Sequence, residues 1–117
     1  MPIESPIGEM KLTDYQLNAL ETWGDDGPLP PELCCGLGIA GEAGEVADLI
    51  KKEYFHSHPR NSEKILEELG DTLFYLSTCA WYYGFSLEEV ARANNEKLAK
   101  RYPNGFEVER SLNRNER

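Results

Sequence analysis

Four runs of turn formers punctuate this chain: GDDGPLPP at residues 24–31, HSHPRNS at 56–62, GFS at 84–86 and PNG at 103–105. Between them the apolar residues recur at helical spacing, and no segment alternates as a half-buried strand would. The pattern predicts four helices. Thr13-x-x-Gln16 reads as a capping box opening the first, over residues 14–23. The second runs from Pro31 or Glu32 to residue 54, since proline suits a first helical turn. It carries Leu33, Leu37, Ala40, Gly44 and Ala47 on one face and Gly38, Glu42, Glu45, Leu49 and Lys52 on the next. Asn61 or Ser62 caps the third, over 63–83, whose core face is Leu66, Leu69, Leu73, Leu76 and Ala80. Gly84 stands in the C′ position after it, and Ser86-x-x-Glu89 opens the fourth, over 87–101. Residues 1–12 read as an irregular arm, 13–106 as one all-α, four-helix bundle-like domain, and 107–117 as a polar tail.

The chain has 117 residues, 40% of them hydrophobic, enough for one core. Its formal net charge of −9 argues against a nucleic-acid polymer or an anionic membrane surface as partner. No stretch is long and apolar enough to span a bilayer, and the opening residues lack a basic region followed by an apolar run. Cys34, Cys35 and Cys79 are an odd set without a CxxC, so a disulfide framework and a zinc site are both poor fits. A reducing, cytoplasmic setting is expected. His56 and His58 fall in a turn and belong to a solvated loop.

The chemistry lies in two acidic pairs, Glu42 with Glu45 in GEAGE and Glu68 with Asp71 in EELGD. Spacing of i, i+3 puts each pair on one helical face. Acidic pairs at that spacing occur only there and at Glu45/Asp48. Both motifs set carboxylates among apolar residues, where ionised groups are costly without a partner. A short connection makes helices two and three antiparallel neighbours, so the pairs can face each other. Four such oxygens suit a hard divalent cation. The glycines of helix two (Gly36, Gly38, Gly41, Gly44) cost about 1 kcal/mol each in propensity, which calls for a close approach of backbone or ligand.

The segment from Tyr15-Gln16 through GLGIAGEAGEVADLIKK, EELGDTLFYL and NNEKLAKRYPNGF resembles the MazG-type nucleoside triphosphate pyrophosphohydrolases of the all-α NTP pyrophosphatase superfamily. The resemblance covers residues 13–106. It implies Mg²⁺, with Mn²⁺ as a substitute, on Glu42, Glu45, Glu68 and Asp71. It also implies hydrolysis of a (d)NTP between the α and β phosphates, with Glu42 or Glu45 orienting the water. Asn94, Lys97 and Arg101 share one face of helix four, which the resemblance assigns to phosphate, with Lys52 on the carboxylate stripe. Tyr15, Trp23 and Tyr102 are the aromatic candidates for the base, and Gln16 a polar one. Family members are dimers or dimers of dimers, so a homo-oligomer is expected to complete the fold.

A carboxylate-bridged di-iron site would need paired Glu-x-x-His motifs, and only Glu53-x-x-His56 matches. The other reading is a non-catalytic helical dimerisation module that retains the acidic motifs. Base and sugar preference, and triphosphate against diphosphate substrates, are left open at this level.

Overall fold

A computed structural model describes residues 9–24 and 27–113. It is all-α, with helices α1 (Leu12–Thr22), α2 (Pro31–Phe55), α3 (Ser62–Tyr82), α4 (Leu87–Arg101) and a short α5 (Val108–Leu112), and no strand among the described residues. The frame is the antiparallel α2–α3 hairpin, against which α1 packs on α3, with α4 touching both α1 and α3. The first four helices match the sequence pattern within one or two residues at each end. The short helix α5 falls in the segment read as a polar tail, and it buries no residue.

Two of the capping assignments hold. The Asn61 side chain accepts from the Lys64 amide at 3.1 Å, and Ser86 Oγ from the Glu89 amide at 3.1 Å. The box at Thr13 does not. Helix α1 begins two residues earlier, with Lys11 at the N-cap and its amide donating to Asp14 at 3.2 Å. Thr13 is instead inside the first turn, where its amide donates to Glu88 Oε1 at 2.8 Å and its hydroxyl to the other oxygen. The first amides of a helix have no intrahelical acceptor, and here a carboxylate from α4 supplies one.

The turn between α3 and α4 is closed by Gly84 at φ +87°, a left-handed conformation that glycine adopts without strain. Gln16 locks that corner from α1. Its amide nitrogen donates to Ser77 O at 3.0 Å and to Phe85 O at 3.1 Å, while its oxygen accepts from Leu87 N at 3.0 Å. It is only 1% exposed. At the opposite end, the Arg60 guanidinium ties the α2–α3 turn down through Glu53 at 2.8 Å and the Tyr54 hydroxyl at 3.1 Å.

The helix faces are inverted relative to the hydrophobic pattern. Helix α2 meets α3 through the stripe holding Cys35, Gly38, Glu42, Val46 and Leu49. Leu33, Leu37, Ala40, Gly44 and Ala47 lie exposed. Likewise Leu66 and Leu69 of α3 are 73% and 52% exposed, while Glu68, Ser77 and Thr78 are buried. The expected core faces of both helices are therefore largely outside this chain's own packing. The radius of gyration is 17.2 Å, against about 13 Å for a compact chain of this length.

Gly38 explains part of the inversion. A Cβ there would sit 2.3 Å from the Tyr75 ring, so glycine alone lets α2 approach α3 at this level. Gly36, Gly41 and Gly44 meet nothing within 4 Å, so the close approach expected for all four is realised within the chain at one.

Candidate metal centre

Three of the four expected carboxylates converge. Glu42 from α2 and Glu68 and Asp71 from α3 each offer an oxygen, and these lie within 4.8 Å of one another. Glu68 is buried, Glu42 half-buried and Asp71 exposed, so the cluster forms a floor with one open side. Glu45, a turn beyond Glu42 on α2, is exposed and outside this group.

Electrostatics show that the cluster carries more negative charge than it can hold comfortably. A hydrogen bond to Glu68 holds the Glu42 carboxyl above the usual carboxylate range, aided by desolvation and by the charges of Asp71, Glu68 and Glu45. Carboxylates crowded in this way are a site that a dication relieves directly. All donors are hard oxygens, which fit Mg²⁺ or another hard divalent ion and would not select a soft metal. These residues can hold a divalent metal.

Two apolar grooves bear on the expected substrate residues. One, of about 500 Å³, lies between the residues before α2 and the Tyr75 ring, lined by Leu29, Pro30, Leu33, Cys34, Leu37 and Gly38. Gly38 is one turn before Glu42 and Tyr75 one turn after Asp71, so this groove adjoins the carboxylates, about 6 Å along each helix. Burial, followed by the charges of Cys34, Glu42 and Asp71, pushes the Tyr75 phenol up. The other groove, of about 780 Å³, is lined by α1, α3 and α4 residues including Leu73, Leu76, Leu87, Val90, Asn94 and Lys97.

The remaining expected site residues are scattered. Tyr15 is half-buried, its phenol pushed up by burial and by the charge of Asp71, which puts it in the electrostatic reach of the cluster. Trp23 packs in an aromatic group, its ring centroid 5.5 Å from Phe74, 5.8 Å from Tyr75 and 6.5 Å from Tyr82. The Gln16 amide is buried and spends both donors and its acceptor on the α3–α4 corner. Lys52 is held by Asp48 at 2.9 Å, with Lys51 on the same carboxylate at 3.3 Å. Asn94 and Lys97 line the second groove rather than the carboxylate floor. Arg101 ends α4, where its carbonyl accepts from Arg110 at 2.9 Å, and the Tyr102 ring lies 5.2 Å from Phe106.

Tyr75 and Lys64 are site neighbours that the sequence reading missed. Both stand one turn from a cluster carboxylate, Tyr75 at Asp71+4 and Lys64 at Glu68−4. That spacing was the available signal.

The profile of the MazG nucleotide pyrophosphohydrolase domain matches residues 33–106, which include all three clustered carboxylates. The chain belongs to this family. It is also 34% identical over 70 residues to the uncharacterised protein YvdC of Bacillus subtilis (strain 168), a match covering 52% of this chain and 66% of that protein. No solved structure matches. No helix among the described residues is long and apolar enough to cross a membrane.

Proposed function

We propose that this MazG domain hydrolyses nucleoside triphosphates between the α and β phosphates, releasing a monophosphate and pyrophosphate, with Mg²⁺ held by Glu42, Glu68 and Asp71. The observation that carries this reading is the convergence of those carboxylates within 4.8 Å on the family's domain. A bound Mg²⁺ would neutralise phosphate oxygens and lower the pKa of an attacking water.

The chain's own residues supply the rest. Water adds to the α phosphorus as the bond to the α–β bridging oxygen breaks, and pyrophosphate leaves with that electron pair. Glu45, one turn from Glu42 and exposed beside the cluster, is free to orient the water and take its proton. The Tyr75 groove adjoins the carboxylates and is apolar, which suits the sugar and base of the substrate. Tyr15 borders the same floor.

A second copy of the chain completes the fold in this reading. The accessible surface is 9335 Å², about 2,900 Å² more than a compact monomer of this mass presents. That excess is ample for the surface a stable partner covers. The outward stripes of α2 and α3 and the groove beside Asn94 and Lys97 are the surfaces it would bury, as a dimer or a dimer of dimers. Light scattering at micromolar concentration should give a mass of at least twice 13.3 kDa.

The direct test is pyrophosphate release from a panel of NTPs and dNTPs with millimolar Mg²⁺. Folded protein that yields none from any triphosphate would favour a non-catalytic helical module. Glu45→Gln should abolish turnover while leaving helicity and Mn²⁺ binding intact, and retained turnover would remove Glu45 from the mechanism.

A further inference from the structure

We infer that Lys64 is an exchangeable cation of the carboxylate site: its ammonium neutralises Glu68 while no divalent ion is bound, and moves to the substrate's polyphosphate once one is. This rests on the reading of Glu42, Glu68 and Asp71 as metal ligands.

The geometry begins with Glu68, whose side chain is only 9% exposed. Lys64 Nζ lies 3.4 Å from its Oε1, and among the described residues this is the ion pair Glu68 makes. The same ammonium lies 3.5 Å from Glu67 Oε1, on a side chain 62% exposed. The ammonium is thus shared between one buried and one exposed carboxylate. Lys64 is itself 43% exposed, so its four-carbon stem has open space to turn into.

Helix energetics do not account for a lysine here. Lys64 is in the first turn of α3, where the macrodipole disfavours a cation. Lysine preceding glutamate at i, i+4 is also the weaker order for a helical ion pair. By contrast Lys51 and Lys52 follow Asp48 in the favourable order, at 3.3 and 2.9 Å, and are bound to that carboxylate. Lys64 is therefore badly placed for the helix and well placed for the site.

Exchange follows from charge. With a dication held by Glu42, Glu68 and Asp71, the Glu68 carboxylate would no longer need the ammonium, which like charge would push away. The displaced ammonium meets the polyanion that enters with the metal, so one lysine serves both states without leaving Glu68 uncompensated in either.

The test uses Mn²⁺ binding by electron paramagnetic resonance, with no nucleotide, on the wild type, Lys64→Met, Lys64→Arg and Lys51→Met. Calorimetric titration with inorganic tripolyphosphate at saturating Mn²⁺ follows on the same set, and circular dichroism checks folding. Losing a competing cation should tighten Mn²⁺ binding about fivefold in Lys64→Met and weaken tripolyphosphate binding about tenfold. Lys64→Arg should keep tripolyphosphate affinity near wild type, and Lys51→Met should leave both readouts unchanged. Unchanged or weaker Mn²⁺ affinity in Lys64→Met overturns the exchange, as does an equal shift in Lys51→Met, and unchanged tripolyphosphate affinity overturns the phosphate role. Wild-type protein that takes up no Mn²⁺ refutes the metal reading itself, a result distinct from these.

Discussion

Gln16 offers the sharpest test of how this chain is held together, because one side chain there joins three elements. Replacing it with leucine keeps an unbranched Cβ and similar bulk but removes two donors and one acceptor. Ser77 O and Phe85 O lose the side-chain donor, at 3.0 and 3.1 Å, and the Leu87 amide loses its acceptor at 3.0 Å. The site is 1% exposed, so water cannot replace these partners without opening the α3–α4 corner. At about 1 kcal/mol net for each bond, with the buried amide of Leu87 at the upper end, Gln16→Leu should cost about 3 kcal/mol. For a domain of this size that is a fall in Tm of about 12 °C.

Urea and thermal unfolding at one fixed protein concentration measure it, since assembly would otherwise shift the midpoint. Gln16→Glu sharpens the comparison: it keeps the acceptor for Leu87 but turns a carboxylate toward two carbonyls, and should be at least as destabilising as leucine. A Gln16→Leu protein within about 1 kcal/mol of wild type would refute the clamp. The sequence alone gives Gln16 a different role, as a polar group reading the base. On that account Gln16→Leu would instead alter relative KM values across a dNTP panel with Tm unchanged.

Four further outcomes follow from the geometry and the charges. Gly38→Ala places a Cβ 2.3 Å from the Tyr75 ring and should cost about 1–3 kcal/mol in chemical unfolding. Gly41→Ala, with nothing within 4 Å, should gain about 0.5–1 kcal/mol, and a loss there would show that something outside the chain covers that face. The Glu88 carboxyl is held below its ordinary range by the Thr13 hydroxyl and then the Thr13 amide. Its native form thus binds fewer protons than the unfolded chain, and the stability it contributes is present above the ordinary glutamate range and lost as pH falls through the depressed value. Glu88→Gln should therefore lower Tm at about pH 7, with a deficit that shrinks as pH falls; a deficit independent of pH would remove the charge from the account. Glu42 has the opposite sign. Its raised carboxyl makes the metal-free fold bind extra protons, so its contribution to stability declines as pH rises through that raised range. Mn²⁺ uptake there should weaken as pH falls, read by titration calorimetry at several pH values; affinity that does not fall on acidification would remove Glu42 from the metal site.

What the sequence made legible was local. Turn residues, caps and i, i+3 spacing act within one or two turns of backbone, so α2, α3 and α4 and three of the four carboxylates follow from them. What it hid was which face of each helix turns toward which neighbour. Periodicity says that Leu33, Leu37, Leu66 and Leu69 share apolar faces, but not that those faces lie outside this chain. A glycine marks the face that α2 turns toward α3: Gly38 admits Tyr75, and one turn on, Glu42 meets Glu68 and Asp71. Gln16, read from the sequence as a polar group for the base, lies buried in the α3–α4 corner, a place that helical periodicity does not reveal.

The inversion ties fold to chemistry. Had the leucines of α2 and α3 faced each other, the pairs at 42/45 and 68/71 would lie on the outer flanks of the hairpin, spread and fully hydrated. Turning the carboxylates inward costs desolvation and mutual repulsion, visible in the raised Glu42 carboxyl and in the ammonium of Lys64 drawn to Glu68. It also leaves the strongest apolar surfaces uncovered. On our reading both costs are offset by something added: a dication between the helices and a second copy of the chain over the leucine stripes. On that reading metal binding and assembly should be coupled, because each stabilises the same α2–α3 register.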